Sequence, residues 1–469
     1  YAFEVTEPYY KNEYAYLQSE LSALDIDMTD VSISLFDSSS EARELAEESF
    51  GKDYVETVYE EESLNDESIQ DLLDAEEAQT LIYDELIATF TLLDNGKRWT
   101  LDEILGDMTL DYDSFYRLYD AYCAALNESA GEIFLKQLEI RNQIAQKMGY
   151  GSYAAYCYDC YERDYTIGDA QKLQNAVKKY IVPVFVAANA RNDTYDLYGA
   201  SFDEQTFLSQ FRTATNDFSP LTGEAFAYMS TNDLCDLTVD SHKMGGSFTT
   251  YISDYRAPFI FSQWTGSASD ITTVIHEFGH FTSYYLNAAS GYSASDSLDL
   301  AEVDSQALTL LMTDYYGLFY GDLAKLAETD LLIDCMYSLV SGCMEDEFQQ
   351  TIYQNPDMTL DEINALYKEL AVEYGLDDVY GYQGTEWVLI SHTFQTPMYY
   401  ISYAIGMVPS LELYEELQTN PEAAKAAYFS IVQRTQYAKF RTVVEENGLS
   451  DVFSEATIRE IGSLLNQYT

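Results

Sequence analysis

The stretch His276-Glu277-Phe278-Gly279-His280 places two histidines four positions apart, with a glutamate directly after the first. On an α-helix, side chains four residues apart lie on one face, so both imidazoles can reach a single ion. Zinc prefers such nitrogen ligands, and a catalytic zinc needs a third protein ligand and an open position for water. Glu277 lies beside that position, where it can take a proton from the water and pass it to a leaving amine. The motif therefore predicts a zinc-dependent hydrolytic site.

A third ligand is expected on the helix that follows this motif. After the loop-forming residues 287–291, apolar residues recur at helical spacing from Leu298 to Leu311 and predict a second helix. Four acids on or just before this helix could return to the ion, namely Asp296, Asp299, Glu302 and Asp304. Spacing alone does not choose among them.

Two short strands are predicted immediately before the motif. Residues 247–252 are rich in strand-forming side chains, residues 253–258 resemble a turn, and residues 259–264 form a second apolar run. Asp270 is the predicted N-cap of the helix that carries the two histidines. A strand edge beside that helix would let an extended peptide add itself as a further strand. The alternative, a hairpin that only packs on the helices, is equally compatible with the sequence.

The composition excludes several classes of function. The chain has 469 residues, and 80 acidic against 24 basic residues give a net charge of −56. Such a charge argues against nucleic acid or anionic membranes as partners. No run approaches the ~18 apolar residues of a membrane span. Six cysteines in a chain of this length are too few for a disulfide scaffold.

The first third of the chain is predicted to be helical throughout. Ile82, Leu86, Phe90 and Leu93 recur at helical spacing, and Asn95-Gly96 supplies a stop signal. We predict an N-terminal helical lobe over residues 1–165 and a catalytic domain over residues 166–469.

Beyond the histidine motif, further segments resemble the oligoendopeptidase F and thimet oligopeptidase family of zinc peptidases. The resemblance runs from about residue 135 to the end of the chain. Besides the motif, it rests on residues 141–145 with Gly149-Tyr150, residues 245–248 through 258–260 with Gly266, and residues 392–394 through 399–404.

The resemblance implies a ligand set of His276, His280 and Glu302 for one zinc ion per chain. In the family, the third ligand is a glutamate followed three residues later by Ser-Gln, and Glu302-Val303-Asp304-Ser305-Gln306 fits that pattern. One position departs from it, because Thr309 stands where the family usually has a second acid. Such acids orient a ligand histidine, so either another acid replaces it or the zinc is held more weakly.

The resemblance also implies roles for a late histidine and tyrosine segment. Tyr400 and Tyr403 are three residues apart and so face the same way on a helix. With His392 they are expected to line the site as donors to the substrate and the oxyanion. Tyr399 is the alternative donor if the register is shifted by one residue, and it is otherwise expected to contact the substrate. Gly245 and Gly246 are expected to contact the substrate as well.

For the whole chain, the resemblance implies a mainly α fold with two helical lobes, a deep substrate channel and one small β-sheet near the zinc. It also implies hydrolysis of internal bonds in short peptides. The alternatives are a peptidase that removes dipeptides from C-terminal ends and a peptide-binding relative that has lost catalysis. Intact Glu277 argues against the last of these, because a binding protein needs no general base.

Two features of the sequence bear on location and favour different compartments. The acidity and the absence of an initial methionine favour an exported, cell-envelope or secreted protein. Cysteines without a disulfide pattern favour the cytoplasm as the alternative.

Overall fold

The structure is a computed structural model, and it describes residues 2–50, 54–64, 67–107, 109–191, 194–240, 242–289, 297–435 and 437–468. The fold is mainly helical and two-lobed, as the sequence predicts, with only small sheets. No helix in these ranges is both long and apolar enough to cross a membrane.

The helices that precede residue 165 are α1 (Pro8–Ser38), α2 (Ser40–Phe50), α3 (Tyr54–Leu64), α4 (Gln70–Thr89), α5 (Leu101–Gly106), α6 (Tyr112–Lys147) and α7 (Tyr153–Cys160). The next group leads up to and includes the pair that carries the predicted ligands. These helices are α8 (Ile167–Tyr180), α9 (Val182–Arg191), α10 (Tyr195–Tyr198), α11 (Glu204–Phe218), α12 (Pro220–Thr231), α13 (Ala268–Ala289) and α14 (Leu298–Leu311).

The helices that complete the fold are α15 (Tyr316–Phe319), α16 (Ala324–Gln354), α17 (Leu360–Glu373), α18 (Leu376–Tyr380), α19 (Ser391–Gln395), α20 (Ile401–Thr419), α21 (Pro421–Val432), α22 (Phe440–Glu446) and α23 (Glu455–Tyr468). The main apolar core contains side chains from Ile69 to Leu465. A separate small cluster on helices α1 to α3 contains Ile33, Phe36, Ala46, Val55 and Val58. The division of the chain after residue 165 stays a prediction.

The prediction that the first 165 residues are all helical is wrong at one point. Helix α4 ends at Thr89, and strands β1 (Leu92–Asp94) and β2 (Lys97–Trp99) form an antiparallel hairpin. Asn95 and Gly96 between them have φ angles of 48° and 83°, the left-handed conformations that a two-residue hairpin turn requires. The Asn-Gly pair is therefore a hairpin turn and not the end of a helix, and Leu93 belongs to a strand.

The predicted hairpin before the histidine motif is confirmed. Strand β3 (Cys235–Asp236) pairs in parallel with β5 (Ala257–Phe261), which pairs antiparallel with β4 (Phe248–Ile252). The strand order β3-β5-β4 leaves β4 at an edge of the sheet. The described residues thus form two small sheets and not the one expected, and the three-stranded sheet contacts α13.

Asp270 was predicted to be the N-cap of helix α13, and this prediction is wrong. The helix begins at Ala268, so Asp270 lies in its first turn. Its carboxylate accepts backbone N–H bonds of 2.7 Å from Thr265, 2.7 Å from Gly266 and 3.0 Å from Ser267. The aspartate therefore fixes the bend that leads from β5 into α13, and it still supplies negative charge at the positive end of the helix.

Glycines at three helix crossings allow the helices around the histidine motif to approach closely. A Cβ atom added at Gly279 of α13 would lie 2.5 Å from the Cα of Ser305 on α14. One added at Gly406 of α20 would lie 2.8 Å from the Cβ of Glu302, and one at Gly342 of α16 would lie 2.9 Å from the Cβ of Ala404. Contacts this short exclude any side chain, so these glycines let α13, α14, α20 and α16 meet.

Candidate metal centre and active site

Helices α13 and α14 bring three potential metal ligands together. The ligand atoms of His276, His280 and Glu302 all lie within 4.8 Å of one another. The Nε2 atom of His276 is 3.7 Å from Oε2 of Glu302, and the two imidazole centroids are 5.0 Å apart. Two imidazoles and one carboxylate are a ligand set typical of catalytic zinc, which keeps its fourth position open.

The protonation and hydrogen bonding of these groups fit a bound cation. Oε2 of Glu302 is buried and has no hydrogen-bond partner in the described part of the chain. Burial raises the pKa of Glu302 to about 8 and lowers the pKa of His276 to about 4. Neutral imidazoles offer their lone pairs, and a buried carboxylate without a cation is costly. A divalent metal held by these three groups would supply the positive charge that the buried carboxylate favours.

The other acids that the sequence left open are engaged elsewhere. Asp299 accepts a hydrogen bond of 3.2 Å from the hydroxyl of Tyr165. Asp304 forms two hydrogen bonds with Arg434, of 2.7 and 3.0 Å, and both side chains are buried. Asp296 lies outside the described residues. Among the described candidates, the fold brings Glu302 alone to the two histidines.

Glu277 lies beside this centre and is held by the edge strand. The hydroxyl of Thr249 on β4 is 2.7 Å from Oε2 of Glu277 and 2.9 Å from its backbone carbonyl oxygen. Glu277 is buried, and burial raises its pKa to about 7, against a lowering by the bond from Thr249. A carboxyl group with a pKa near neutrality is suited to accept and release a proton at physiological pH.

His392 and Tyr403 form a pair next to the acids. The hydroxyl of Tyr403 is 3.2 Å from Nε2 of His392. Burial raises the pKa of Tyr403 well above its usual value and lowers the pKa of His392 to about 4. At neutral pH the tyrosine therefore keeps its proton and the imidazole is uncharged, so both groups can donate or accept hydrogen bonds.

The neighbouring tyrosines have different surroundings from those expected. Tyr399 donates a hydrogen bond of 2.5 Å to Oε1 of Glu302, so it contacts a candidate metal ligand directly. The ring of Tyr400 packs 5.0 Å from that of Tyr403 and 5.3 Å from that of His392. Of the three tyrosines, Tyr403 is the one bonded to His392, and Tyr399 is the one bonded to Glu302.

Gly245 and Gly246 lie in the loop just before Phe248, the first residue of the edge strand β4. Both glycines are exposed, and Gly246 has a φ angle of 85°. The structure thus places them at one end of the strand that holds Glu277, where backbone is open to a ligand.

Arg141 was not singled out as a functional residue in the sequence, although it belongs to the segment at residues 141–145. Its fully buried guanidinium donates to the backbone carbonyls of Thr393, at 2.8 Å, and Phe394, at 2.6 Å. It also pairs with Glu76 at 2.6 Å. Arg141 thereby fixes the turn that follows His392. The sequence signal for this role was an arginine among the apolar positions of a helix. Its partners Thr393 and Phe394 could not be predicted, because they lie 252 and 253 positions further along the chain.

Thr309, the departure from the family pattern, is hydrogen-bonded within its own helix. Its hydroxyl donates to the backbone carbonyl of Ser305 at 2.9 Å. Among the described residues, Glu302 is the one carboxylate that lies within ion-pairing distance of His276 or His280. Weaker retention of the metal therefore stays a prediction.

Comparison with known proteins agrees with this geometry. Residues 116–462 match Peptidase family M3, which is more than half of the chain. The chain belongs to peptidase family M3. No curated protein shows significant similarity to it.

Solved structures show the same fold. A structure assigned to oligoendopeptidase F is 23% identical and superposes with a TM-score of 0.90, covering 100% of this chain and 87% of the other. PZ peptidase A, solved with an inhibitor, is 24% identical with a TM-score of 0.90, covering 100% and 88% of the two chains. A structure assigned to oligoendopeptidase F from Bacillus anthracis is 22% identical with a TM-score of 0.82, covering 98% and 86%.

Membership of the M3 family confirms the predicted resemblance and makes this chain a metallopeptidase that acts on peptides. Zinc is typical of the family. The match begins at residue 116, earlier than the sequence suggested, because helix α6 is included from near its start.

Proposed function

We propose that this M3 peptidase is a zinc-dependent endopeptidase that hydrolyses internal bonds of short peptides, with one zinc held by His276, His280 and Glu302. The observation that carries the proposal is the buried, unpaired oxygen of Glu302 beside two neutral imidazoles. When bound, zinc supplies Lewis acidity that polarises the scissile carbonyl and makes water a stronger nucleophile.

Glu277 is the proposed general base and acid. Its carboxylate takes a proton from water as the water oxygen forms a bond to the carbonyl carbon. The protonated carboxyl then gives this proton to the amide nitrogen as the carbon–nitrogen bond breaks. Thr249 holds the carboxylate through its bond to Oε2, so the other oxygen is free to exchange the proton.

Tyr403 and His392 are the proposed donors for the carbonyl oxygen. Negative charge develops on this oxygen during the attack, and a fixed O–H group can stabilise it. The raised pKa of Tyr403 keeps its hydroxyl protonated, and the 3.2 Å contact with His392 limits its rotation. We assign Tyr400 a lesser part, in packing, because it meets His392 and Tyr403 through its ring, whereas the hydroxyl of Tyr403 is bonded to His392.

The free edge of β4 is the proposed binding surface for the peptide backbone. An extended peptide can pair with this strand, and Thr249 ties the strand to Glu277. The exposed Gly245 and Gly246 let a substrate come close to the backbone at one end. Strand pairing needs no free terminus, which supports cleavage of internal bonds over release of C-terminal dipeptides.

Cleavage of a quenched peptide with acetylated and amidated ends tests the proposal. Purified protein should cleave it, a chelator should stop cleavage, and added zinc should restore it. Product masses should place the cut at an internal bond. Glu277→Gln is the matched control, which should keep zinc and lose turnover. Cleavage only when the C-terminus is free would favour the dipeptidase alternative, and zinc binding without any cleavage would favour a binding protein.

A further inference from the structure

A cavity of about 290 Å³ opens directly beside the proposed metal centre. His276 and Tyr403 both line it, so it is continuous with the place where the scissile bond would lie. Helix α16 also lines the cavity, through residues that include Asp334. A side chain next to the scissile bond could therefore extend from the metal centre towards α16.

Asp334 is an acid without a partner in this cavity. Its side chain is exposed to the cavity, and within the described ranges no hydrogen bond or ion pair reaches its carboxylate. Desolvation by the surrounding walls and the charge of nearby Asp330 raise the pKa of Asp334 to about 7, because a second negative charge in a partly desolvated place is costly. A cation in the cavity would relieve that cost.

The remaining walls suit a long side chain with a charged end. Leu310, Leu331 and Met407 offer apolar contact for methylene groups. The hydroxyl of Ser338 donates to the backbone carbonyl of Asp334 at 3.0 Å, so its oxygen can still accept a bond from a cationic group. Neither lysine nor arginine occurs among the described residues that line the cavity, so nothing in its wall neutralises Asp334. Lysine and arginine side chains have this form, with an apolar stem and a cationic tip.

We propose that this cavity is a specificity subsite that selects a lysine or arginine side chain next to the cleaved bond, with Asp334 as its counter-ion. The inference rests on the proposed endopeptidase function and adds a substrate class to it. It differs from general attraction of cations by the net charge of −56, because it concerns one residue of the peptide and one carboxylate of the enzyme.

The two sources of preference respond differently to salt. Long-range attraction between exposed charges is screened within ~8 Å at physiological ionic strength. A pair formed inside a cavity is screened much less. A preference that survives high salt is therefore the signature of the Asp334 contact.

The test uses blocked peptides that differ at one position and carry lysine, norleucine or glutamate there, on either side of the cleaved bond. For wild-type protein at high salt, kcat/KM should be highest for the lysine peptide. Asp334→Asn should reduce the ratio of lysine to norleucine by about tenfold or more. Asp378→Asn, which removes an exposed acid from α18, is the matched control for net charge and should keep the ratio.

Charge reversal keeps the inference falsifiable if the neutral variant folds poorly. Asp334→Lys should cleave the glutamate peptide better than the lysine peptide. A wild-type enzyme that cleaves norleucine and lysine peptides equally at high salt, or an unchanged ratio in Asp334→Asn, would overturn the subsite alone. Failure of wild-type protein to cleave any of the three peptides would instead overturn the proposed endopeptidase function.

Discussion

Two acids on helix α14, Glu302 and Asp304, are both buried but have opposite surroundings. Asp304 faces Arg434, which neutralises it through two short hydrogen bonds. Glu302 faces two neutral imidazoles and the hydroxyl of Tyr399, and one of its oxygens has no partner among the described residues. The fold thus supplies a cation to one acid and not to the other. A buried acid left in this state marks the place of a ligand and not of a structural ion pair.

The largest difference between the two acids is expected in the stability of the metal-free protein. Asp304→Asn leaves the guanidinium of Arg434 buried without a counter-ion, which should lower the free energy of unfolding by about 3–5 kcal/mol. Glu302→Gln removes a carboxylate that has no cation, so stability should stay the same or rise. Urea unfolding in the presence of a chelator measures both. Equal losses in the two variants would remove the distinction between these acids.

A somewhat smaller effect is expected on changing Tyr403. This residue packs against α14 on the same side as Glu302, and Gln306 donates a hydrogen bond of 3.1 Å to the backbone carbonyl of Tyr403. Tyr403→Phe keeps the ring but loses the proposed oxyanion donor. Its kcat should fall about 10²-fold or more with KM nearly unchanged. This loss corresponds to roughly 2.7–4 kcal/mol of transition-state stabilisation. Tyr400→Phe is the matched control and should lose less. A near-normal kcat in Tyr403→Phe would rule out the donor role.

Tyrosine hydroxyls contact both acids and allow a third comparison. Tyr399 donates to the carboxylate of Glu302, and Tyr428 donates to the backbone carbonyl of Asp304 at 3.0 Å. Tyr399→Phe should weaken zinc binding by about 10–100-fold, since it removes support from a ligand. Tyr428→Phe should leave zinc affinity unchanged and cost about 1 kcal/mol of stability. Competition with a chromophoric chelator gives the affinities, and an effect of Tyr428→Phe as large as that of Tyr399→Phe would contradict the assignment.

Glu277 lies between Glu302 and Asp304 in how well its charge is supported, because one hydroxyl donates to its carboxylate and no cation among the described residues faces it. Removing that hydroxyl is expected to have the smallest effect of the four changes. The bond from Thr249 favours the charged form and so lowers the pKa of Glu277. Thr249→Val should raise this pKa, and the acidic limb of the kcat/KM profile should move to higher pH. Thr250→Val on the exposed face of β4 should leave the profile in place. A shift of the acidic limb to lower pH in Thr249→Val would contradict the claim that the bond from Thr249 lowers the pKa of Glu277.

The sequence predicted the parts of the site that depend on local spacing. His276, Glu277 and His280 follow from one helical turn, and the strands next to α13 follow from composition. Glu302 did not follow from spacing, because Asp299 and Asp304 lie on the same helix; the resemblance selected it. The pairing of Asp304 with Arg434 was not predictable, because 130 positions separate the two residues.

Errors arose where one signal has two meanings. Asn95-Gly96 can end a helix or turn a hairpin, and only the pairing of Leu92 with Trp99 decides between them. The contacts of Tyr399 and Tyr400 depend on how the segment just before α20 is placed against α14 and α16, since α20 begins only at Ile401. Gly406 and Gly342 permit that packing, but a linear pattern does not reveal which helices meet there.

The central claim is that Glu302, and not another acid of α14, completes the zinc site. The most direct test is the zinc content of the wild-type protein and of Glu302→Gln, Asp304→Asn and Glu277→Gln, measured by mass spectrometry after dialysis against a weak chelator. We expect one zinc per chain in the wild type, Asp304→Asn and Glu277→Gln, and almost none in Glu302→Gln. Full zinc content in Glu302→Gln, or loss of zinc in Asp304→Asn while it remains folded, would contradict the account.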